Sequence, residues 1–348
     1  MDESRLLERL VAQYSPSGRE RGAATEFVRI ARELGYSARL DGIGNGLARR
    51  GRGRPRILFL GHIDTVEGER PVRRDHGTVH GRGAVDAKGP LVAALCAGLA
   101  ADGPGEIVVA AAVGEETDSH GARYLLSHLA PDFVIAGEPS GWDGVTIAYK
   151  GELQVEATFR GQRTHYSSPF PTTADVALDW VGAVRAYAAR HTGASPFRSL
   201  TAKVVSLDST GRAGAETVRA VIDLRIPPGL SARDVRRGLP TEPGPPEIAD
   251  RIHVDPIEVE RTNPVVLALV HGIRAGGARP TIWRKAGTSD LNLVLPAWGV
   301  PGAAYGPGDA KLDHTDHERL TAAELRRAIA VLGSAFRELQ NGGPPVGV

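Results

Sequence analysis

Five short stretches concentrate histidine and carboxylate side chains: Gly61-His62-Ile63-Asp64, Gly83-Ala84-Val85-Asp86, Gly114-Glu115-Glu116, Gly137-Glu138-Pro139 and His314-Thr315-Asp316-His317-Glu318. Imidazole and carboxylate donors without cysteine suit zinc or a similar divalent ion. Without a cation, carboxylates crowded into one place repel and raise one another's pKa. A pair of ions bridged by a carboxylate removes that penalty and activates a water for attack on a carbonyl. Each stretch is weak alone. His-x-Asp is common, a Glu-Glu pair is usually a solvated turn, and Gly-Glu-Pro marks many loops. Their order and joint occurrence carry the metal-site reading.

The elements that must position these groups follow from the apolar pattern. Ile57 to Leu60, Ile107 to Val113 and Phe133 to Ala136 are apolar runs bounded by glycine or proline, as buried strands are. The first, third and fourth clusters directly follow them, at the strand ends where ligands bind in open α/β sheets. A helix is predicted between the first two runs, over Lys88 to about Ala101. The first helix of the chain is predicted to open at Ser17-Gly18-Arg19-Glu20, read as a capping box, and to stop at Gly35. The last helix opens with Thr321 and Glu324, read as another capping box, and buries Leu325, Ile329, Leu332, Phe336 and Leu339.

Near Lys150 the pattern changes. Glu152 to Arg160 alternates, a helix fits Thr173 to Arg190, strands fit Ala202 to Leu207 and Thr217 to Ile226, a helix fits Ala232 to Gly238, and a strand fits Arg251 to Val259. That βαββαβ order is the ferredoxin-like split unit. The expected organisation is an α/β catalytic domain with a mixed sheet, residues 1–149 and 263–348, interrupted by an inserted α+β domain at residues 150–262.

The formal net charge of +1 gives no global field for nucleic acid. The longest apolar run, in LVAALCAGLAA, is far short of the ~20 residues that span a bilayer. Cys96 is the single cysteine, so a disulfide framework or CxxC zinc site is excluded. The charged start MDESRLLERL lacks a signal-peptide core. The expected setting is the reducing cytoplasm, without nucleic acid or membrane as partner.

Taken together, these motifs resemble the M20 family of metallopeptidases and deacylases, over nearly the whole chain. The resemblance implies a di-metal amidohydrolase, with zinc the expected ion and cobalt an alternative. It makes His62 and Glu138 ligands of one ion, Glu116 and His314 ligands of the other, and Asp86 the bridge, with the Asp86–Ala87 peptide cis. His314 is preferred to His317 because it stands four residues before Glu318. Asp64 would orient His62 and Glu115 would be the general base. The family commonly has Met or Asp where this chain has Ala87. Thr164-His165-Tyr166-Ser167-Ser168-Pro169 matches the motif whose histidine, here His165, assists catalysis from the inserted lid and dimerisation domain, often across a homodimer.

The blocks GHIDTVEG, GRGAVDAKGPL, GEETDSHGAR, GEPSGWDGVTIAYKG, AGTSDLN and GPGDAKLDHTDHE are similar to one branch in particular. Its members release lysine or ornithine from the C-terminal glutamate of a small acidic amino-group carrier protein. Arginines within 49–56, 70–74 and 160–163 are candidates to meet such a partner. Lys285 and Arg225 are candidates for the substrate α-carboxylate, and Asp118 or Glu67 for its side-chain amine. An enzyme acting on acetylornithine or another small N-acyl amino acid is the nearest alternative. A catalytically dead binding protein would have no need of both the ligands and the base.

Overall fold

The computed structural model describes residues 2–163, 165, 167–212 and 214–342. Two compact units emerge: 1–147 with 259–283 and 289–348, and 148–258 with 284–288.

In the first unit a mixed sheet runs in the order Ser37–Leu40, Gly46–Arg52, Gly105–Ala112, Arg56–His62, Phe133–Ala136, Gly302–Ala304 and Gly144–Tyr149, the chain leaving the unit after Ile147. Arg56–His62 is parallel to both Gly105–Ala112 and Phe133–Ala136, with His62 opposite Ala112 and Leu60 opposite Ala136. Every residue of Gly105–Ala112 is buried, which explains the unbroken apolar run from Ile107 onward. Helix Lys88–Gly98 is buried on all sides. It packs against those strands, Glu3–Val11 and Ala322–Gln340, while His120–Leu126 packs against Asp290–Trp298. Among the described residues no helix is long and apolar enough to cross a membrane.

Three expectations about helix starts need correction. The first helix is Glu3–Val11, capped by the Asp2 side chain. Ser17 and Glu20 form no capping box: the next helix is Arg21–Glu33, Glu20 gives it no side-chain cap, and Ser17 Oγ instead donates to Asp64 Oδ2 at 2.8 Å. A buried carboxylate has taken the hydroxyl that the motif assigned to a helix end. At the last helix Thr321 does cap, but Glu324 Oε1 turns away to accept the Gly308 N–H at 2.8 Å.

The second unit is antiparallel throughout, in the order Thr201–Arg212, Ala215–Ile226, Gly151–Gln162 and Glu247–Val254. Helices Thr173–Arg190 and Ala232–Arg237 pack against it. Alternate residues Leu153, Val155, Ala157 and Phe159 meet Trp180, Val184 and Val235 in one core. Trp180 Nε1 donates to Pro240 O at 2.8 Å, so the core's largest ring buries no idle donor. The final strand expected over 251–259 is broken into Glu247–Val254 and Ile257–Glu258. Pro256, which has no N–H to give a ladder, lies in the break.

Candidate metal centre

Parallel pairing fixes the site. His62 ends its strand, Glu115 and Glu116 follow Ala112, and Glu138 follows Ala136, so these side chains leave the sheet at one edge. Gly114 makes the turn there at φ 73°, and a Cβ on it would lie 2.1 Å from the His120 ring. Asp86 precedes helix Lys88–Gly98, and the Asp86–Ala87 peptide is cis, as the resemblance implies.

The two oxygens of Asp86 face different imidazoles. Oδ1 is 3.0 Å from His62 Nε2 and Oδ2 is 3.2 Å from His314 Nε2. His314 Nε2 is also 3.0 Å from Glu116 Oε1. Among the described residues, ligand atoms of His62, Asp86 and Glu116 lie within 4.8 Å of one another. His62 Nδ1 stands 3.0 Å from the Asp64 carbonyl oxygen, which can only accept; the proton therefore belongs on Nδ1 and the Nε2 lone pair points at Asp86. Acceptor faces acceptor across 3.0 Å, an arrangement that needs a proton or a cation between them. Ligand atoms ~2.0–2.1 Å from one tetrahedral zinc stand roughly 3.3 Å apart, close to the spacings found. The donor set fits divalent ions.

The electrostatics agree. Burial disfavours the His62 cation, but Asp86, Asp64 and Glu115 outweigh it and hold its pKa well above the usual value. Hydrogen bonds to Asp86 and Glu116 raise His314 to about 10. Burial pushes Glu115 well above the ordinary carboxylate range; His62 opposes this, and Glu138, Asp290 and Glu116 add to it. Divalent ions bound at these donors would offset the same negative charge.

Asp64 is fully buried. Its Oδ1 accepts the Glu115 N–H at 3.2 Å, and its Oδ2 accepts the Glu116 N–H at 3.0 Å together with Ser17 Oγ. Its nearest approach to the His62 ring by carboxylate is 3.5 Å. Burial alone would raise its pKa, but His62, Ser17 and the Glu116 N–H hold it below the usual value. Asp64 thus secures the Glu115-Glu116 loop at least as firmly as it orients the imidazole. Glu318 supports the other side: Oε1 accepts the N–H of Val85 and Asp86, and Oε2 meets Arg82 at 3.2 Å.

The remaining sequence candidates lie elsewhere or are otherwise engaged. His317 lines a separate cleft with Arg70, Arg73 and Arg319. Asp118 is exposed and meets His120 Nδ1 at 2.6 Å, and Glu67 is exposed. His165, Arg225 and Lys285 belong to the second unit. His165 is exposed, with Nδ1 2.7 Å from Ser167 Oγ; Thr164 and Tyr166 of its motif lie outside the described residues. Arg225 is held by Glu152 at 2.8 Å and Asp223 at 2.9 Å. Lys285 Nζ lies 6.0 Å from the Tyr149 ring centre.

The sequence pattern of Peptidase family M20/M25/M40 matches residues 58–338. The chain belongs to that family. As an M20 member it is a metal-dependent amide hydrolase. A Pyrococcus furiosus protein, named as a candidate LysW-lysine/LysW-ornithine hydrolase, is 39% identical over 338 residues, 97% of each chain. A LysW-lysine hydrolase from Deinococcus radiodurans is 38% identical over 353 residues, again 97% of each. The fold is shared with an M20 family metallo-carboxypeptidase from Sulfolobus solfataricus, at TM-score 0.79 and 16% identity, over 98% of this chain and 100% of that one.

Sequence reasoning missed Ser17, Asn45 and the backbone role of Glu318. Asn45 is fully buried beside the Glu115-Glu116 loop. Its signal was available in Asp41-Gly42-Ile43-Gly44-Asn45, an Asx-type turn.

Proposed function

We propose that this chain releases lysine or ornithine from an amino-group carrier protein, by hydrolysing the amide that links the amino acid to the carrier. The observation that carries the hydrolytic part is Asp86, each of whose oxygens faces a different imidazole. The near full-length relatives named for LysW-linked substrates support the choice of substrate.

In this reading His62 and Glu138 hold one ion, Glu116 and His314 hold the other, and Asp86 serves both. Zinc suits the N and O donors, and cobalt would serve in the same set. The bound ions would polarise the amide carbonyl and acidify a water. Glu115 takes the proton of the attacking water and returns it to the leaving amine. Asp64 fixes the backbone of Glu115, so the base cannot drift from the reacting water.

His165 supplies a hydrogen bond to the oxyanion from the inserted domain of a neighbouring subunit. A homodimer is supported by the edge strand Thr201–Arg212, which exposes Val205 and Leu207, and by Leu178 exposed on the adjoining helix. The substrate α-carboxylate is met by Lys285 or Arg225, and its side-chain amine by an acidic group such as Asp118. An acidic carrier would dock at the cleft of about 310 Å³ where Arg73, His80, His317 and Arg319 join the ion-paired Arg70 and Asp316, and which shares Glu318 with the Asp86 loop. The compartment is the cytoplasm, where biosynthetic amino acids are released.

The test offers the zinc-loaded enzyme carrier-linked lysine, acetyl-lysine and acetylornithine side by side. Preference for the carrier by several orders of magnitude is expected, because remote contacts help position the amide. Equal efficiency on acetylornithine would move the chain to small-molecule deacylation.

A further inference from the structure

The loop 114–120 carries both Glu115 and Glu116 and joins strand Gly105–Ala112 to helix His120–Leu126. Its two ends meet at a neck, where Gly121 N–H donates to Val113 O at 3.0 Å. One side chain spans the same neck. Asn45 Oδ1 accepts the Val113 N–H at 3.0 Å, and Asn45 Nδ2 donates to Gly121 O at 3.1 Å. The second Nδ2 hydrogen goes to Asp41 Oδ2 at 2.8 Å. Asn45 is fully buried with donors and acceptor all employed.

Asp41 prepares this brace. Its Oδ1 accepts the N–H groups of Ile43, Gly44 and Asn45 at 3.0, 3.0 and 2.9 Å, and its own N–H donates to Asn45 O. The turn is thereby closed around one carboxylate, whose other oxygen aims the Asn45 amide at the neck. There is no room for a substitute contact from Gly121, where a Cβ would stand 2.6 Å from Asn45 Oδ1 and 2.4 Å from Val113 O.

A side-chain amide is the group this position requires. Asp would lose both donors and set a second carboxylate against Asp41. Leu would match the shape and satisfy nothing. Gln would need space that a fully buried site does not have. The loop is therefore gripped twice: at the neck by Asn45, and at the Glu115-Glu116 backbone by Asp64.

We propose that Asn45, aimed by Asp41, is a positioning residue that holds the Glu115-Glu116 loop in its working geometry. The functional part of this inference rests on the reading of Glu115 as base and Glu116 as metal ligand; the mechanical part does not.

The experiment uses the full chain as Asn45→Ala and as Asp41→Asn. The second keeps the turn-closing oxygen, puts a donor against Asn45 Nδ2, and avoids a cavity should Asn45→Ala fail to fold. Three readouts are taken: amide hydrogen exchange of peptides covering 113–121, titration with zinc alone, and the separate kcat and KM of turnover. Both variants should exchange about tenfold faster in 113–121 with the second unit unchanged, bind one of two zinc equivalents about tenfold more weakly, and lose kcat with KM nearly constant, as when an outer-shell partner of a metal site is removed. Wild-type exchange in 113–121, or faster exchange spread evenly over the chain, overturns the proposal. Exchange and zinc titration need no substrate, so a failure of the substrate reading would leave them standing and appear only in turnover.

Discussion

Glu318 Oε1 accepts the backbone N–H of Asp86 at 3.1 Å, across 232 residues of chain. The same oxygen accepts Val85 N–H at 3.0 Å, and the whole side chain is buried. Burial raises the Glu318 pKa, against the opposing pull of the backbone N–H groups of Val85, Asp86 and Gly83. The segment that carries His314 is thereby pinned to the loop that carries Asp86. Glu318→Ala should weaken zinc binding about 10–100-fold, as losses in the second shell of metal sites do. It should also cost roughly 3–5 kcal/mol of stability by stranding Arg82. Competition with a chelator and denaturant unfolding read the two effects. Unchanged zinc affinity in a destabilised protein would make Glu318 a purely structural residue.

Glu115→Gln tests the base. The amide keeps the shape and cannot take the water's proton, so kcat should fall by about 10²–10⁴ or more. Zinc content should stay at the wild-type value, measured by elemental analysis after dialysis. Parallel loss of metal would exchange the roles assigned to Glu115 and Glu116.

A pH dependence is expected from the second unit. Burial and the neighbouring Asp223 raise Glu152 to about 7 from an ordinary 4.5, against the pull of Arg225. The folded state therefore holds this proton more tightly than the unfolded state. Its contribution is complete below about 4.5 and is lost as pH rises through about 7. Glu152→Gln mimics the protonated form. The Tm of wild type minus that of Glu152→Gln should fall between those limits and level off above them. A difference that stays flat between those limits would mean that Arg225 holds Glu152 ionised throughout.

Charge reversal at the cleft tests docking. Arg73 and Arg319 are exposed there. Arg73→Glu with Arg319→Glu should lower kcat/KM for carrier-linked lysine about tenfold or more at low salt. The gap should narrow as salt shortens the Debye length to ~8 Å and below. Turnover of acetyl-lysine should not respond. An equal loss on both substrates would indicate a disturbed site rather than a lost docking surface.

How far the sequence reveals this molecule depends on how local the signal is. Alternation in Glu152 to Arg160 and the apolar runs at Ile57, Ile107 and Phe133 are local consequences of burial, and the strands form there. Strand ends in parallel register then gather His62 and Glu116, with Asp86 meeting both. Helix Glu3–Val11 was missed because its charged residues hide a stripe of Leu6, Leu7, Leu10 and Val11. Ser17 reads as a cap only until a carboxylate 47 positions away claims it. Asn45 and Glu318 act on backbone groups distant in sequence, and no spacing rule announces such partners.

The buried helix Lys88–Gly98 has a practical consequence. It encloses Cys96, the only thiol in the chain, and burial pushes that thiol up to about 12. At neutral pH it is neither ionised nor accessible, so maleimide reagents should leave the native protein unmodified, as mass spectrometry would report. The enzyme is then a ready background for site-directed labelling. A cysteine introduced on the surface of each unit would accept a spin label or a dye without removing the native residue. Distances between the two labels, followed during turnover, would report whether the spacing of the units changes.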